Sequence, residues 1–294
     1  MDALLALTLA AVADEGTLDG AARRLHLTPS AVSQRVKTLE DQVGHRLLVR
    51  SRPVRVTEAG EAVVRFARRY EVLAHEASAQ LGAAAPSART RITVAVNADS
   101  LATWLLAPVA RFTEAHDVEV EMVRLDQDRT VDLLESGAAL AAVTSQGAPV
   151  NGCRSTPLGH MAFHAMAAPG WVERWAPTGI DAAALSRAPR VDYDRDDTLQ
   201  LEWLRHHGID GHDAPRHFVP STHDIARAVE LGLGWALVPA RQARDLEAEE
   251  RLVPLGGPVV TTPLFWQAWK GGSSLLASLT DEIVAEARRE LQPA

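Results

Sequence analysis

The hydrophobic and polar residues near the start of the chain follow the spacing of short helices. Apolar residues recur through residues 2 to 13, and Gly16 ends that pattern before Thr17, which can cap a short second helix. Thr28 and Pro29 have the sequence of an N-cap followed by proline at the first helical position. The pattern therefore predicts three helices in succession, with a tight turn between the second and the third.

The predicted third helix, residues 29 to 44, separates apolar from polar positions. Its apolar stripe consists of Val32, Val36, Leu39 and Val43. Its opposite face carries Ser30, Gln34 and Lys37, with Ser33 and Arg35 at the edges. A helix in a major groove needs short or bidentate polar groups for base edges and a cation for phosphate. The pattern therefore predicts that this helix recognises DNA.

Two short apolar-rich segments follow Gly44 and flank the sequence Ser51-Arg52-Pro53. They predict a β-wing whose arginines reach a minor groove or the DNA backbone. Together with the third helix, the wing supplies the predicted DNA contacts: Thr28, Ser30, Ser33, Gln34, Arg35, Lys37, Arg50, Arg52 and Arg55.

The charge distribution supports a polyanion-binding segment on an acidic body. The formal net charge is −8 over 294 residues, yet residues 20 to 69 hold eleven basic and four acidic side chains. That segment therefore carries a net charge near +7 and the remainder near −15. A solvated basic face would account for the charge alone. Such a face would not explain why a helix, a turn, a second helix and a wing with arginines at its tip follow one another in this order.

One long helix is predicted from Thr57 to Leu81. Phe66, Tyr70, Leu73 and Ala77 repeat at a coiled-coil spacing along it. A long helix tethered to a small domain has little of its own protein to cover that stripe, so dimerisation is expected. Packing against the protein's own body is the alternative. Residues 82 to 90 then have the composition of a hinge linker.

From Arg91 onward strand-like and helix-like segments alternate, which predicts parallel-dominated sheets with helices on both faces. The predicted strands are residues 91–96, 118–123, 139–144, 190–194, 216–221, 234–239 and 263–270; the predicted helices are residues 101–115, 130–137, 196–207, 223–232 and 275–291. The series is interrupted around residues 161 to 169. We therefore expect an α/β body of two lobes joined by two crossings.

Ligands of such sheets bind beyond the carboxyl ends of the strands. The candidates there are Asn97, Asp99, Ser100, Asp126, Asp128, Thr144, Ser145, Gln146, Asp194, Asp197, Ser221 and Thr222. Ser100 can cap a helix and, with Thr144, hold a carboxylate, while the acids can pair with ammonium or guanidinium groups. A zwitterion with an additional positive charge fits this set, and L-lysine and L-arginine have that shape.

Each of these candidates has a structural alternative. An aspartate at a strand end is often a turn or cap residue. Trp104 could cover an aliphatic ligand stem, but a tryptophan on an apolar helix face is more often part of the core. Arg124, Arg129 and Arg195 lie near enough in sequence to keep an organic or aromatic acid effector open.

Several classes of protein are disfavoured. No sequence window resembles a membrane span or a signal peptide, and the single Cys153 fits a reducing cytoplasm. No nucleophile elbow, phosphate loop or dinucleotide fingerprint occurs, so the sequence does not predict an enzyme. His206, His207 and His212 lack a metal-ligand spacing. We expect neither a metal nor another cofactor.

The segment TPSAVSQRVKTLEDQVGHRLLVR, followed by TEAG, resembles the winged helix-turn-helix of LysR-type transcriptional regulators over roughly residues 2 to 80. SRPVRVTEAG and VNADSLATWL further resemble the lysine- and arginine-responsive regulators of the LysG/ArgP type. This resemblance implies an effector domain like a periplasmic binding protein, a dimer or tetramer, and a basic amino-acid exporter gene as the target. RNA polymerase would be a further partner.

The expected organisation follows from these segments. It is a DNA-binding domain (1–56), a dimerisation helix (57–82), a hinge (83–90) and an effector domain (91–294). Within the last, lobe I comprises about residues 91–164 and 262–294, and lobe II about 165–261. The expected function is effector-controlled DNA binding in the cytoplasm. An effector-independent architectural DNA-binding protein, acting at replication origins, is the alternative from another class.

Overall fold

The computed structural model describes residues 1–49, 51–81, 90–124, 130–211, 214–271 and 273–293. It contains two compact units. Unit 1 comprises Met1–Asn97, Pro108–Thr156 and Trp266–Ile283; unit 2 comprises Ala98–Ala107, Pro157–Phe265 and Val284–Ala294. The predicted DNA-binding domain and connector helix therefore belong to the same unit as part of the α/β body.

The first part of unit 1, here called the head, is helical apart from a short hairpin. Its elements are α1 (Ala3–Glu15), α2 (Leu18–Arg24), α3 (Pro29–Val43), β1 (Leu48–Val49) and β2 (Arg55–Val56), and the connector helix α4 (Glu58–Gln80) follows. The two strands pair antiparallel. The predicted helices and wing are thus confirmed, and α1 and α3 begin and end within two residues of the predicted positions.

The local signals at the helix ends act as predicted. Gly16 ends α1 in the left-handed conformation, with φ of 64°. The Thr17 side chain accepts a hydrogen bond from the Gly20 N–H (3.0 Å), and Thr28 accepts one from the Ala31 N–H (3.2 Å). The apolar stripe of α3 is buried in the head core at Val32, Val36 and Leu39, and Val43 packs against that core.

The sequence Thr57-Glu-Ala-Gly60 joins the wing to α4. The Thr57 hydroxyl accepts a hydrogen bond from the Gly60 N–H (3.1 Å) and donates one to the Arg46 carbonyl (2.7 Å). A Cβ at Gly60 would lie 2.2 Å from the Leu47 carbonyl oxygen. Only glycine permits α4 to pass this close to the residue that precedes the first wing strand.

The α/β part of unit 1 contains a parallel sheet. Its elements are β3 (Thr90–Val96), most of α6 (Leu106–Ala115), β4 (Val118–Arg124), α7 (Thr130–Glu135), β5 (Ala141–Thr144), the end of β11 (Val260–Trp269) and most of α13 (Ser274–Glu290). β3 pairs in parallel with both β4 and β5. The Trp269 N–H at the end of β11 binds the Leu140 carbonyl (3.2 Å). The predicted βαβ alternation is confirmed here.

Unit 2 is more mixed. Its elements are α5 (Ala98–Thr103), most of β6 (Cys153–Ala167), α8 (Pro169–Trp175), α9 (Ala182–Arg187), β7 (Arg190–Asp192), α10 (Leu199–His206), β8 (Arg216–Phe218), α11 (Thr222–Glu230), β9 (Ala236–Pro239), α12 (Ala240–Ala248) and β10 (Val253–Pro254). β7 and β8 pair in parallel, whereas β6 pairs antiparallel with β9 and β10. The fold is α/β as predicted, but not purely parallel.

Two local predictions were wrong. The expected interruption around residues 161 to 169 is largely the strand β6, whose mostly buried positions leave no period-two pattern to detect. The single helix predicted over residues 101–115 is divided into α5 and α6, because Pro108 lacks the N–H that a continuous helix would use. Since α5 begins at Ala98, Ser100 lies inside the helix and is not its cap.

No helix among the described residues is both long and apolar enough to span a bilayer.

Candidate DNA interface and effector site

The exposed face of α3 carries the side chains that the sequence predicted for DNA contact. Ser30, Ser33, Gln34 and Lys37 are exposed, while the neighbouring apolar stripe is buried. Arg35, which was placed at an edge, is half-buried, and its guanidinium lies 3.4 Å from the Thr8 hydroxyl of α1. The polar face is therefore available for base edges and phosphates along its centre.

The wing lies beside this helix. Arg52 and Arg55 are exposed, and Arg50 lies outside the described residues. An open depression of about 1150 Å³ between helix and wing is lined by Ser33, Lys37 and Arg52, among others. Exposed cations on both sides of a concave surface favour phosphate binding.

Glu40 positions the wing, a role that the sequence did not reveal. One of its carboxylate oxygens accepts a hydrogen bond from the Leu47 N–H (2.8 Å), and the other pairs with Arg46 (3.2 Å). In the sequence analysis Glu40 was only one of the four acidic residues within the basic segment 20 to 69. Its position near the end of α3, eight residues before the first wing strand, was the available signal.

In unit 2, α5 and α11 contact each other through the predicted effector residues Asp99 and Thr222. The Thr222 hydroxyl donates a hydrogen bond to an Asp99 carboxylate oxygen (2.7 Å). Thr222 is buried and Asp99 is half-buried. Within the described part of the chain, neither an ion pair nor a nearby cation compensates the Asp99 charge.

The environment of Asp99 disfavours its ionised form. Burial raises the pKa of its carboxyl group to about 6, the Thr222 hydrogen bond opposes this shift, and the negative charge of Asp197 adds to it. The pKa of Asp197 is also raised, chiefly by burial, against hydrogen bonds from the Tyr193 and Leu199 N–H groups. Two acids with raised pKa values thus lie in the same unit, and the charge of one influences the other.

The remaining polar candidates of unit 2 make local contacts. One Asp194 oxygen accepts hydrogen bonds from the Asp196 and Asp197 N–H groups (2.8 and 2.9 Å), so this residue shapes a turn. The Ser221 hydroxyl lies 3.4 Å from the Asp224 N–H and caps α11. These contacts agree with the alternative that both residues are turn or cap residues. That either residue contacts an effector stays a prediction.

Ser100 and Trp104 are buried in unit 2. Ser100 is fully buried, and its hydroxyl has no hydrogen-bond partner among the described residues. Trp104 is 2% exposed, which favours the core interpretation for its indole. Arg195 lies over the Phe218 ring, 5.1 Å from its centroid.

Other effector candidates belong to unit 1 or lie outside the described residues. Asn97, at the end of β3, is 4% exposed, and its side-chain oxygen is without a partner in the described part of the chain. Thr144, at the end of β5, is buried and accepts a hydrogen bond from the Gln146 N–H (3.1 Å). Asp126 and Asp128 lie outside the described residues.

His206 and His207 make local contacts within unit 2. His207 packs against Trp203 with 4.2 Å between ring centroids, and His206 lies 2.9 Å from the Glu202 carbonyl. His212 lies outside the described residues. Over the ranges that the structure describes, no three histidine, cysteine or acidic side chains are grouped as metal ligands.

The two faces of α4 differ. The predicted stripe of Phe66, Tyr70, Leu73 and Ala77 is exposed, and the Phe66 and Tyr70 rings stack with 6.3 Å between centroids. A different face is buried: Val63, Val64 and Ala67 belong to the head core, and Val72 is buried as well. The helix also contacts the α/β part of unit 1 through polar side chains, but these contacts leave the coiled-coil stripe uncovered.

Comparison with known families assigns both parts of the chain. Residues 5–61 match the model of the bacterial regulatory helix-turn-helix protein, lysR family. Residues 85–288 match the LysR substrate binding domain.

Similar full-length proteins carry regulator names. The chain is 43% identical to the transcriptional regulator LysG of Mycobacterium bovis. The matched region covers 95% of this chain and 91% of the relative. It is 39% identical to the lysine export transcriptional regulatory protein LysG of Corynebacterium efficiens, and the matched region covers 97% of each of the two chains.

Two solved structures cover the whole of both chains. ArgP from Mycobacterium tuberculosis is 41% identical and superposes with a TM-score of 0.85. Full-length LysG from Corynebacterium glutamicum, with arginine bound as effector, is 34% identical and has a TM-score of 0.78.

Proposed function

Because this chain belongs to the LysR family of bacterial helix-turn-helix regulators, and within it to the LysG/ArgP regulators, we propose that it controls transcription in response to L-lysine or L-arginine. A basic amino-acid exporter gene is the proposed target, in keeping with the lysine-export name of the Corynebacterium efficiens relative. Control of transcription also implies RNA polymerase as a partner.

One observation carries the effector proposal: Asp99 holds a half-buried carboxylate that no cation of the described residues compensates. A ligand guanidinium or ammonium group supplies that charge and forms a charge-assisted hydrogen bond. The bound arginine of the Corynebacterium glutamicum LysG supports the same ligand class. Asn97, Ser100, Thr144, Asp194, Ser221 and Thr222 remain proposed further contacts.

A dimer is the proposed assembly, through the exposed stripe of α4. Phe66, Tyr70 and Leu73 are 36%, 42% and 43% exposed, although large apolar side chains at regular spacing are usually covered. A parallel or antiparallel partner helix would bury all three. Two heads on one dimer would read a partly palindromic site, and pairing of dimers would give a tetramer.

The effector is tested by thermal unfolding with matched ligand pairs. Lysine is compared with norleucine and arginine with citrulline, since each pair differs chiefly in the side-chain charge. We expect stabilisation by about 2.7 kcal/mol at a hundredfold excess over the dissociation constant for the charged ligands, and little for the neutral ones. Stabilisation only by organic acids would support a different LysR effector, and none with any ligand would support the architectural alternative.

The DNA interface is tested on a duplex selected by the wild-type protein from a random library. Gln34→Ala should cost about 1–3 kcal/mol on the selected sequence and relax its specificity. Lys37→Gln should weaken binding to all sequences and lower the salt-dependence slope by about one. Arg244→Gln, an exposed change on α12 of unit 2, is the charge-matched control for Lys37. Unchanged affinity in both head variants would refute this interface.

A further inference from the structure

The connector helix α4 makes a set of polar contacts to the α/β part of unit 1. They are made by Arg65, Arg68, Arg69 and Glu76. We propose that these four residues form a latch that fixes the head on the α/β part of unit 1 and transmits the effector response to it. This inference rests on the proposed effector function. It concerns neither the exposed apolar stripe nor the residues that would touch DNA or effector.

Arg68 is the central member because it contacts both parts directly. One guanidinium nitrogen donates to the Gly137 carbonyl (2.8 Å) in the turn after α7. Another pairs with the Asp14 carboxylate at the end of α1. Asp14 also binds Arg24 of α2 (2.8 Å). A single side chain thus joins the first two helices of the head to the turn that precedes β5.

Arg65 reinforces the same turn. Its guanidinium donates to the Glu135 carbonyl, at the last residue of α7. Gly137 has φ of 72°, and a Cβ there would lie 2.1 Å from Cγ of Arg65. The turn therefore needs glycine twice, for its backbone conformation and for the close approach of α4.

A second set of contacts, made by Arg69 near the middle of α4 and by Glu76 closer to its end, holds the helix at the loop between β11 and α13. Arg69 donates to the Lys270 carbonyl (2.9 Å) and lies over the Trp269 ring, 5.6 Å from its centroid. One Glu76 oxygen accepts hydrogen bonds from the Ser273 hydroxyl (2.7 Å) and the Leu275 N–H (2.8 Å) at the start of α13. An acid at a helix N-terminus is favourably placed.

The two segments that α4 contacts, the turn after α7 and the loop between β11 and α13, are connected to each other and to the strand that ends at Thr144. The Trp269 N–H binds the Leu140 carbonyl, and β5 follows directly and ends at Thr144. On β11, the buried Gln267 donates to the Gln146 carbonyl (2.8 Å) and accepts from the Val150 N–H (2.8 Å). The loop after Thr144 is thereby tied to the strand that carries Trp269. A shift at this strand end would reach α4 through packed, hydrogen-bonded residues.

The latch itself is tested by distances between spin labels in the head and the α/β part. Asp19→Cys on α2 and Glu114→Cys on α6 provide exposed sites in unit 1. Cys153 is buried, and burial raises the pKa of its thiol to about 11, so it should not react with the label. Doubly labelled protein is diluted with unlabelled protein to suppress distances between subunits.

We expect one narrow distance in the otherwise wild-type protein and an additional, longer population in Arg68→Gln. Arg69→Gln should broaden the distribution in the same direction, because it releases the contact of α4 with the loop between β11 and α13. Arg244→Gln, on α12 of unit 2, should keep the single distance. One unchanged distance in both latch variants would overturn the latch.

Transmission is tested by the ratio of duplex affinities with and without saturating L-arginine. Arg68→Gln and Arg69→Gln should bring this ratio to near one, while the dissociation constant for arginine measured without DNA stays within about twofold of wild type. Arg244→Gln should keep the wild-type ratio. Wild-type ratios in both latch variants would overturn the inference and leave the regulator intact. No arginine binding by the wild-type protein would instead overturn the proposed function and, with it, the transmission role of the latch.

Discussion

Two aspartates of unit 2 hold their charge in opposite ways. Asp192 is buried on β7 and pairs with Arg190, which is fully buried, and with Arg216 of the neighbouring strand. Asp99 accepts a hydrogen bond from a neutral hydroxyl, and no guanidinium in the described residues compensates it. The first carboxylate is neutralised by arginines of the protein, whereas the second has no such partner among the described residues. This contrast makes Asp192 a structural aspartate and Asp99 the proposed effector contact, a distinction that composition alone cannot draw.

The largest effect should come from removing the compensated charge. Asp192→Asn leaves Arg190 buried without its counter-ion, so the free energy of unfolding should fall by about 3–5 kcal/mol. Denaturant titration measures the change, with Asp224→Asn, an exposed change on α11, as the control expected within about 0.5 kcal/mol. A loss no larger than that of the control would mean that the Asp192 cluster is not structural.

Removing the uncompensated charge of Asp99 should weaken arginine binding and leave the stability of the fold largely unchanged. Asp99→Asn should keep the fold but cost about 2–5 kcal/mol in arginine binding, because the ligand cation loses its partner. Titration calorimetry with L-arginine measures this, and Asp224→Asn again serves as the control. Asp194→Asn preserves the turn-forming oxygen, so an equally large loss there would move the cation site to Asp194.

Arginine binding should also depend on pH through Asp99. Its pKa in the free protein is raised to about 6 by burial, and a bound cation favours the ionised form. Affinity should therefore be full above this pKa and fall as the pH drops through it, by about tenfold between pH 7 and pH 5. Calorimetry across this range measures the slope. A profile as steep in Asp99→Asn as in wild type would assign the titration to another group.

The smallest effect should come from the hydroxyl that faces Asp99. Thr222→Val removes the hydrogen bond to the ionised carboxylate, at a cost of about 1 kcal/mol in arginine binding. It should also move the midpoint of the pH profile upward, because that bond lowers the pKa of Asp99. A Thr222→Ser variant retains the donor and should behave like wild type. An unmoved midpoint in the valine variant would show that the bond is not maintained in solution.

The head was predictable because its signals are local. Gly16, Thr17 and Thr28 act on residues a few positions away, and the face of α3 that carries Gln34 and Lys37 follows from helical spacing alone. These features depend on backbone geometry shared by all helices, which sequence spacing encodes directly. The family resemblance in the same segment was confirmed for the same reason.

The effector candidates were predictable as a set but not individually. Strand-end position placed Asp99, Asp194 and Asp197 on equal terms. In the structure Asp99 accepts a hydrogen bond from a distant side-chain hydroxyl, whereas the other two accept backbone N–H groups of their own turn. The distinction depends on neighbours supplied by folding. The closest one, Thr222, is 123 residues from Asp99 in sequence.

The sequence by itself determined the winged head, the long connector, the α/β alternation and the family, because each rests on short-range periodicity or on a contiguous motif. Tertiary structure decided that arginines pair with Asp192 but not with Asp99, which face of α4 is covered, and that β6 continues where an interruption was expected. Those outcomes depend on burial and on partners far away in the chain. Arg68 is the clearest case: its sequence position indicates only a basic helix, and packing makes it the contact between Asp14 and Gly137.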